Sequence, residues 1–359
     1  MQDAQVIVLA TPVFFLLIAI EAVVGWRRKQ LTYAWADTLS SIGLGMMSQV
    51  VGVFTKLFTL GIYQWVYAHA ALFELSPRSS AVWVGALLGY DFLYYWLHRA
   101  GHQVALFWAA HVVHHQSEEY NLSTALRQTG SGWLAGWLFY LPMAIVGVPP
   151  LVFAVVALID LLYQFWVHTR LVGRLGWFDR WFCAPSNHRV HHAVNDVYLD
   201  RNFGGILVVW DRMFGSFQPE LDAQPCVYGT RSPLRSWNPV WANVEVYAGL
   251  VHDSRQARHW GDKLRVWFKP PGWRPDDLHE RFPKKPFELF AIPRYAPAMK
   301  RAHLHASGAL FLIAIGLTSV VLWNAHRLAP LQLAGAAAAV LAGLWLVGWL
   351  CEREAVGGR

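Results

Sequence analysis

Long apolar segments constrain this chain more than any other feature of its sequence. A helix needs roughly 20 apolar residues to cross the hydrocarbon core of a bilayer. Such segments fall at 5–25, 39–67, 80–97, 132–147, 149–168, 305–326 and 329–350. The first three and the last two are long enough to span. The remaining pair is shorter and is joined by the turn-forming sequence Gly147-Val148-Pro149-Pro150, so we predict a re-entrant helical hairpin that returns to the side from which it entered.

The charged residues predict how these helices are oriented. Only 15% of the 359 residues are charged and the mean hydropathy is +0.29, values typical of a membrane protein. The net charge of +7 comes from Lys and Arg in a few polar stretches, which we expect to face the cytoplasm and not to bind nucleic acid. Arg27, Arg28 and Lys29 end the first segment, and counting spans from there places 98–131 and 169–304 inside.

The predicted fold is therefore an all-α integral membrane protein. It has several transmembrane helices, the re-entrant helical hairpin and a cytoplasmic helical cap formed by the polar stretches. We expect it in a bacterial inner membrane or in the endoplasmic reticulum. The three cysteines include no CxxC pair, so neither a zinc finger nor a disulfide framework is expected.

Histidines are concentrated in the part of the chain that this topology places at the cytoplasmic face. Nine of the sixteen form one HxxxH pair, two HxxHH triplets and one isolated position: His98, His102, His111, His114, His115, His168, His188, His191 and His192. Side chains at i, i+3 and i+4 share a helix face. Nine imidazoles exceed the needs of one ion and predict two metals. Hydrogen-bonded core histidines are the alternative, but this explanation suits one histidine better than three clusters.

The residues beside the histidines bear on which metal is bound. Zinc proteases carry HExxH, in which the glutamate is the general base. Here Arg99 follows His98 and Val112 follows His111, so that base is missing and hydrolysis is disfavoured. Paired redox-active ions at a membrane boundary favour activation of O2 and oxidation of a lipid C–H bond, with iron as the expected metal.

The histidine motifs and the sequence around them resemble the fatty acid hydroxylase/sterol desaturase superfamily. The resemblance covers roughly residues 85–230, and 111–128, 185–192, 202–205 and 210–217 are similar to its alkylglycerol monooxygenase branch. It implies a membrane di-iron enzyme that oxidises a lipid with O2. In that branch the carbon next to the ether oxygen of an alkylglycerol is hydroxylated, and the hemiacetal collapses to a fatty aldehyde and a glycerol derivative.

The same resemblance implies roles for individual residues. The eight histidines of the HxxxH and HxxHH motifs match the metal-binding motifs of the family, and His168 matches the isolated histidine of this branch. It also implies two Fe2+ ions and an external reductant, either tetrahydrobiopterin or another electron donor. Asn187 is a further ligand or, more simply, a helix cap.

Charged residues near the histidines are candidates for supporting roles. Ligand imidazoles usually give their second nitrogen to a carboxylate or a carbonyl, which points to four acids: Asp91, Asp160, Glu118 and Asp200. Solvent exposure is the simpler explanation for the acids that flank the clusters. Arg127 and Arg189 are candidates for binding a lipid phosphate or the pterin, with ion pairs inside the cap as the alternative.

The chain divides into four predicted parts. These are N-terminal transmembrane helices (1–80), a fatty acid hydroxylase-like catalytic core (81–230), a cytoplasmic cap (231–304) and C-terminal transmembrane helices (305–359). Sequence motifs do not choose the lipid, so hydroxylation or desaturation of an acyl chain, an amino-acid lipid, a sterol or a carotenoid is an alternative. An alternative of another class is a non-catalytic metal-binding or transport protein, which would carry polar residues through several spans.

Overall fold

The computed structural model describes residues 3–30, 32–291 and 293–353. Its α-helices are α1 (Asp3–Arg27), α2 (Trp35–Ala70), α3 (Ser80–Gln103), α4 (Ala105–His115), α5 (Leu122–Ala125), α6 (Leu141–Val146), α7 (Pro150–Trp166), α8 (Pro185–His191), α9 (Val209–Met213), α10 (Pro239–Gln256), α11 (Trp260–Phe268), α12 (Asp276–Arg281), α13 (Arg301–Asn324) and α14 (Pro330–Glu352). Three short 3₁₀ helices are Gly132–Leu134, Gly136–Tyr140 and Phe178–Arg180. Strand-like pairing in these ranges is limited to two isolated β-bridges, so the all-α prediction is confirmed.

Within the described residues, four helices are long and apolar enough to cross a membrane: Ile7–Arg27 within α1, together with α2, α13 and α14. They begin and end within a few residues of the predicted spans. Only 6% of the apolar window of Ile7–Arg27 is buried inside the protein, against 28–33% in the other three. Their outward side chains are apolar, which suits contact with lipid and fits a multi-pass membrane protein.

α3 differs from the sequence prediction of five spans. It covers 80–97 as expected, but it is not among the helices of the described ranges that are apolar enough to cross a membrane. The reason is its polar content, which includes Asp91, His98 and His102. These three side chains are at most 6% exposed, so α3 turns its polar face into the protein.

The two shorter apolar segments meet at the predicted turn. The first arm is two 3₁₀ helices followed by α6, and the second is the regular helix α7. Gly147 joins them with a φ of +101°, and a β-carbon there would lie 1.9 Å from the carbonyl oxygen of Phe73. Only glycine fits this turn. That the pair enters a membrane and returns stays a prediction.

The long helices pack around one apolar core. α13 and α14 lie along each other and on α2, and α10 packs against both α4 and α14. Leu44, Val50, Val340 and Leu344 are buried in this core. Inside a bilayer such contacts are stabilised by van der Waals packing and not by exclusion of water. The histidine-bearing α4 is thereby fixed against the membrane helices.

Buried acids join the ends of these helices to the loops beside the histidines. Glu21 of α1 accepts a 2.8 Å bond from the backbone N–H of Leu122 and another bond from the hydroxyl of Thr169. Asp37 of α2 accepts a 2.6 Å bond from the hydroxyl of Ser117. The end of α1 and the start of α2 therefore lie on the same side of the protein as the histidine-bearing segments.

Candidate metal centre

All nine predicted histidines meet at one place, although four separate segments carry them. They form two groups, and within each group the potential ligand atoms lie within 4.8 Å of one another. The five-histidine group is His98, His102, His111, His115 and His191, and the four-histidine group is His114, His168, His188 and His192. Each HxxHH triplet is divided between the groups. Its histidines at i and i+4 belong to one group, and its histidine at i+3 belongs to the other.

The ring nitrogens are spaced as the ligands of one ion would be. In the five-histidine group, Nε2 of His111 lies 3.0 Å from Nε2 of His98 and 3.1 Å from Nε2 of His115. In the four-histidine group, the corresponding distances around Nε2 of His168 are 3.0 and 3.1 Å. Neighbouring ligands around an ion with metal–nitrogen bonds of about 2.1 Å are roughly 3.0–3.4 Å apart. Each group therefore fits one metal ion.

Bonds to the opposite ring nitrogens turn Nε2 towards the centre. Nδ1 of four histidines lies 2.7–3.0 Å from a backbone carbonyl oxygen: His98 with Phe203, His114 with Arg127, His168 with Gln164 and His191 with Arg201. A carbonyl only accepts, so each of these Nδ1 atoms carries the proton and each Nε2 keeps its lone pair. Nε2 of His102 is buried without a hydrogen-bond partner in the described ranges, a deficit that metal binding would relieve.

Burial also keeps the imidazoles in the form that binds metal. Desolvation lowers the pKa of His114 to about 4 and the pKa of His191 and His192 well below the usual range. These rings are therefore neutral at neutral pH. A metal ion can bind them there without first displacing protons.

An apolar cavity of about 510 Å³ opens beside the two groups. Two histidines of each group line it: His98 and His111 from the first, His114 and His168 from the second. Apolar side chains form most of the remaining wall, and many of them come from α1, α2, α7 and α13. A cavity of this size and polarity suits an elongated apolar ligand with one end at the histidines.

The acids suggested as imidazole partners are placed differently from one another. Oδ1 of Asp200 lies 3.3 Å from Nδ1 of His102, although 42% of the Asp200 side chain is exposed. Asp91 accepts bonds instead from the backbone N–H of Ile206 at 2.7 Å and from Nε1 of Trp210 at 2.8 Å. The carbonyl oxygen of Phe203, and not Asp91, lies beside Nδ1 of His98.

The remaining suggested residues do not contact the imidazoles, although Asp160 lines the cavity. Glu118 accepts a 2.8 Å bond from the backbone N–H of Tyr295, and Asp160 accepts a 2.5 Å bond from the Gln164 amide. Neither carboxyl has an imidazole partner in the part of the chain that is described. Oδ1 of Asn187 accepts a 3.0 Å bond from the backbone N–H of Ala184 at the start of α8, which is the capping role.

Both arginines considered for phosphate or pterin binding are engaged within the protein. Arg127 is 1% exposed and donates to the carbonyl of Val113 at 2.6 Å and to the Gln116 side chain at 3.2 Å. Arg189 forms a 2.7 Å ion pair with Glu220 and donates to backbone carbonyls. The structure therefore favours the alternative of internal bonds for both.

The sequence did not predict the carbonyl groups that orient the imidazoles or the aromatic rings beside them, of which Tyr94 is one. The ring of Tyr94 lies 5.2 Å from the ring of His98, and Tyr94 also lines the cavity. A backbone carbonyl leaves no trace in residue type. The only available signal was the position of Tyr94 four residues before His98, which places both on one helix face.

Comparison with known proteins agrees with this arrangement. The Fatty acid hydroxylase family model matches residues 83–216, a range that contains all nine histidines. Alkylglycerol monooxygenase from Danio rerio is 40% identical over 272 residues, and that from Homo sapiens is 39% identical over 267 residues; each match covers 74% of this chain. Ornithine lipid hydroxylase OlsE from Rhizobium tropici is 30% identical over 150 residues, which cover 39% of this chain and 43% of that protein.

The chain spans 59% of the length of the two alkylglycerol monooxygenases. No solved structure matches it. The family model and the histidine geometry coincide on the same stretch of sequence. Residues 83–216, with all nine histidines, therefore match the fatty acid hydroxylase family.

Proposed function

We propose that this chain is a membrane di-iron monooxygenase that hydroxylates a lipid with O2 and cleaves the ether bond of alkylglycerols. The observation that carries the proposal is the position of one apolar cavity against two groups of buried imidazoles. Four or five imidazole nitrogens per group suit iron, and two bound iron ions supply the oxidising power for an unactivated C–H bond. The five-histidine group would hold one ion and the four-histidine group the other.

The protein itself contributes position and shielding. The apolar wall would hold an alkyl chain so that one carbon lies beside His98 and His168, which removes much of the entropic cost of the reaction. The same wall excludes water and so protects reactive species from side reactions. The carbonyls of Phe203 and Gln164 keep those two rings in one orientation.

Similarity to the alkylglycerol monooxygenases supports an ether lipid as the substrate. Hydroxylation of the carbon next to the ether oxygen consumes O2, two electrons and two protons, and releases water. The hemiacetal that results breaks its C–O bond to give a fatty aldehyde and a glycerol derivative. The electrons would come from an external reductant, tetrahydrobiopterin or another donor.

We further propose that the histidine groups face the cytoplasm. Arg28, which follows the first span, donates to the carbonyl of Leu171, close to His168. The basic end of α1 and the histidine-bearing loops therefore share one side, and basic ends of spans are retained in the cytoplasm. The hairpin of α6 and α7 would return to this side.

A second candidate is hydroxylation of an acyl chain in an amino-acid lipid. The similarity to an ornithine lipid hydroxylase favours it. It would use the same metal groups and cavity and would differ in the headgroup that is recognised. A non-catalytic metal-binding or transport protein would bind metal without consuming O2.

The function is tested with purified protein loaded with Fe2+ and given a tetrahydropterin, O2 and an alkylglycerol. We expect a fatty aldehyde, formed only when the protein, iron, reductant and O2 are all present. A hydroxylated ornithine lipid, with no aldehyde from the alkylglycerol, would select the second candidate. Bound metal without O2 consumption on either lipid would contradict an oxygenase.

Filling the cavity should change which lipids are oxidised without disturbing the metal groups. Ala157 of α7 lines the cavity, and Ala157→Phe would shorten the space for an alkyl chain. We expect oxidation of long chains to fall at least about tenfold relative to short chains, because a shape mismatch in an apolar pocket has an effect of this size. Ile159→Phe on the exposed face of the same helix is the control. Equal effects on all chain lengths would contradict this position for the substrate.

A further inference from the structure

A pair of buried acids lies at the wall of the cavity, outside the two histidine groups. Asp160 of α7 is 2% exposed and Asp91 of α3 is 1% exposed. Their carboxyl groups are neighbours, and Oδ1 of each faces the α-carbon of Gly205. Asp160 is the one acidic side chain among the described residues that line the cavity.

The two carboxyl groups differ in the hydrogen bonds that they accept. Asp91 accepts three, from the backbone N–H groups of Ile206 and Leu207 and from Nε1 of Trp210, at 2.7–3.1 Å. Asp160 accepts one at Oδ2, from Gln164, and its Oδ1 has no donor in the described parts of the chain. A negative charge is therefore stabilised on Asp91 much better than on Asp160.

Among the described residues, no positively charged side chain pairs with either carboxyl group to stabilise a second negative charge. None of the ion pairs among the described residues includes Asp91 or Asp160. The titratable groups that face the pair are Tyr90, Tyr94, Tyr140, Tyr163 and Cys183, which bring no cation. Two carboxyl groups in contact under these conditions share one proton, because both cannot be ionised. The hydrogen bonds place that proton on Asp160.

Gly205 lies next to both carboxyl groups and has no side chain that would separate them. A β-carbon at Gly205 would lie 2.8 Å from Oδ1 of Asp160 and 3.1 Å from Oδ1 of Asp91. Both oxygens therefore face the bare α-carbon of this glycine. Any larger residue there would press between the two groups.

We propose that Asp160, kept protonated by its contact with ionised Asp91, is the proton donor of the cavity. The proposal rests on the proposed oxygenase function, which consumes two electrons from the reductant and two protons for each water released. The O–H bond of Asp160 breaks and its proton becomes one of the two protons of that water, and the second proton comes from solvent. Asp160 takes a proton back from solvent before the next turnover. The cavity wall offers no second acid within the described ranges.

Infrared spectroscopy of the purified protein without substrate tests the shared proton. We expect a carboxylic-acid C=O band at neutral pH that shifts in D2O and is lost in Asp160→Asn. Asp253→Asn should keep the band, because Asp253 is ion-paired with Arg274. Absence of the band in the unmodified protein, or its persistence in Asp160→Asn, would overturn the proposal. If Asp160→Asn does not fold, Gly205→Ala serves instead, and an unshifted band there is the overturning result.

Turnover supplies the second readout. Asp160→Asn should lower kcat about 100-fold, the usual range for loss of a proton donor, with little change in KM and with more O2 consumed per lipid oxidised. Unchanged kcat and coupling would overturn the role in catalysis. An unmodified protein that oxidises no lipid would contradict the proposed function, whereas the infrared result would still decide the protonation of Asp160.

Discussion

Replacing His192 with alanine is expected to remove one of two bound metal ions and to abolish lipid oxidation. His192 belongs to the four-histidine group, so the substitution leaves three imidazoles there. Loss even of residues that support ligands lowers metal affinity about 10–100-fold, and loss of a ligand should do at least as much. Metal analysis after loading with Fe2+ should therefore find about one ion per chain instead of two.

Two further variants make this measurement specific. His102→Ala removes a ligand from the five-histidine group and leaves four imidazoles, so we expect it to retain more metal than His192→Ala. His279→Ala changes an exposed histidine of α12 and should change neither metal content nor activity. Equal metal loss in the His102 and His192 variants would contradict the division into groups of five and four.

Replacing Arg127 with methionine is expected to destabilise the protein by about 3–5 kcal/mol, because several buried acceptors lose their donor and each unpaired buried acceptor costs about 1–3 kcal/mol. Its guanidinium is buried, binds the carbonyl of Val113 and interacts electrostatically with Asp37. The substitution would leave the buried Asp37 without this cation. The backbone carbonyl of Arg127 also orients His114, so metal affinity should fall with stability. Thermal unfolding in detergent, with and without iron, measures both.

Arg174→Met is the matched control for this experiment. Arg174 pairs with Asp222 at the surface, where the two side chains are 45% and 92% exposed. Such pairs contribute at most about 1 kcal/mol, so little change in the melting temperature is expected. If Arg127→Met melted like the unmodified protein but lost affinity for a pterin or a phospholipid, Arg127 would be a ligand-binding residue after all.

The spans and the histidines could be predicted because their signals are local. The apolar segments that became α1, α2, α13 and α14 are continuous along the chain, and a bilayer allows few other structures for them. The histidine spacing also predicted that the rings would share helix faces. Whether α3 spans the membrane was harder to predict. Its residues Asp91, His98 and His102 face the protein interior and lower the mean hydropathy by which a span is recognised.

The assignment of each ring to a group could not be predicted, because it depends on contacts between distant segments. His111 and His114 lie on neighbouring turns of α4, yet His98 approaches one and His168 the other. The partners of Asp91 also depend on contacts between distant segments, so its hydrogen bonds to residues 206, 207 and 210 could not be predicted. The backbone near Asn202, which has a φ of +57°, folds the following residues over α3, and their N–H groups bind Asp91.

Isotopic labelling of the oxygen atom in the product tests most directly whether the protein is an oxygenase. Neither a hydrolase nor a non-catalytic metal-binding protein would transfer an atom of O2 to the lipid. Iron-loaded protein is supplied with 18O2, a reduced pterin and an alkylglycerol, and the aldehyde is reduced by borohydride before its oxygen exchanges with water. We predict one 18O atom in the fatty alcohol obtained in this way and none in the glycerol derivative. A fatty product without 18O, or one labelled only from H2 18O, would contradict oxidation at the two histidine groups.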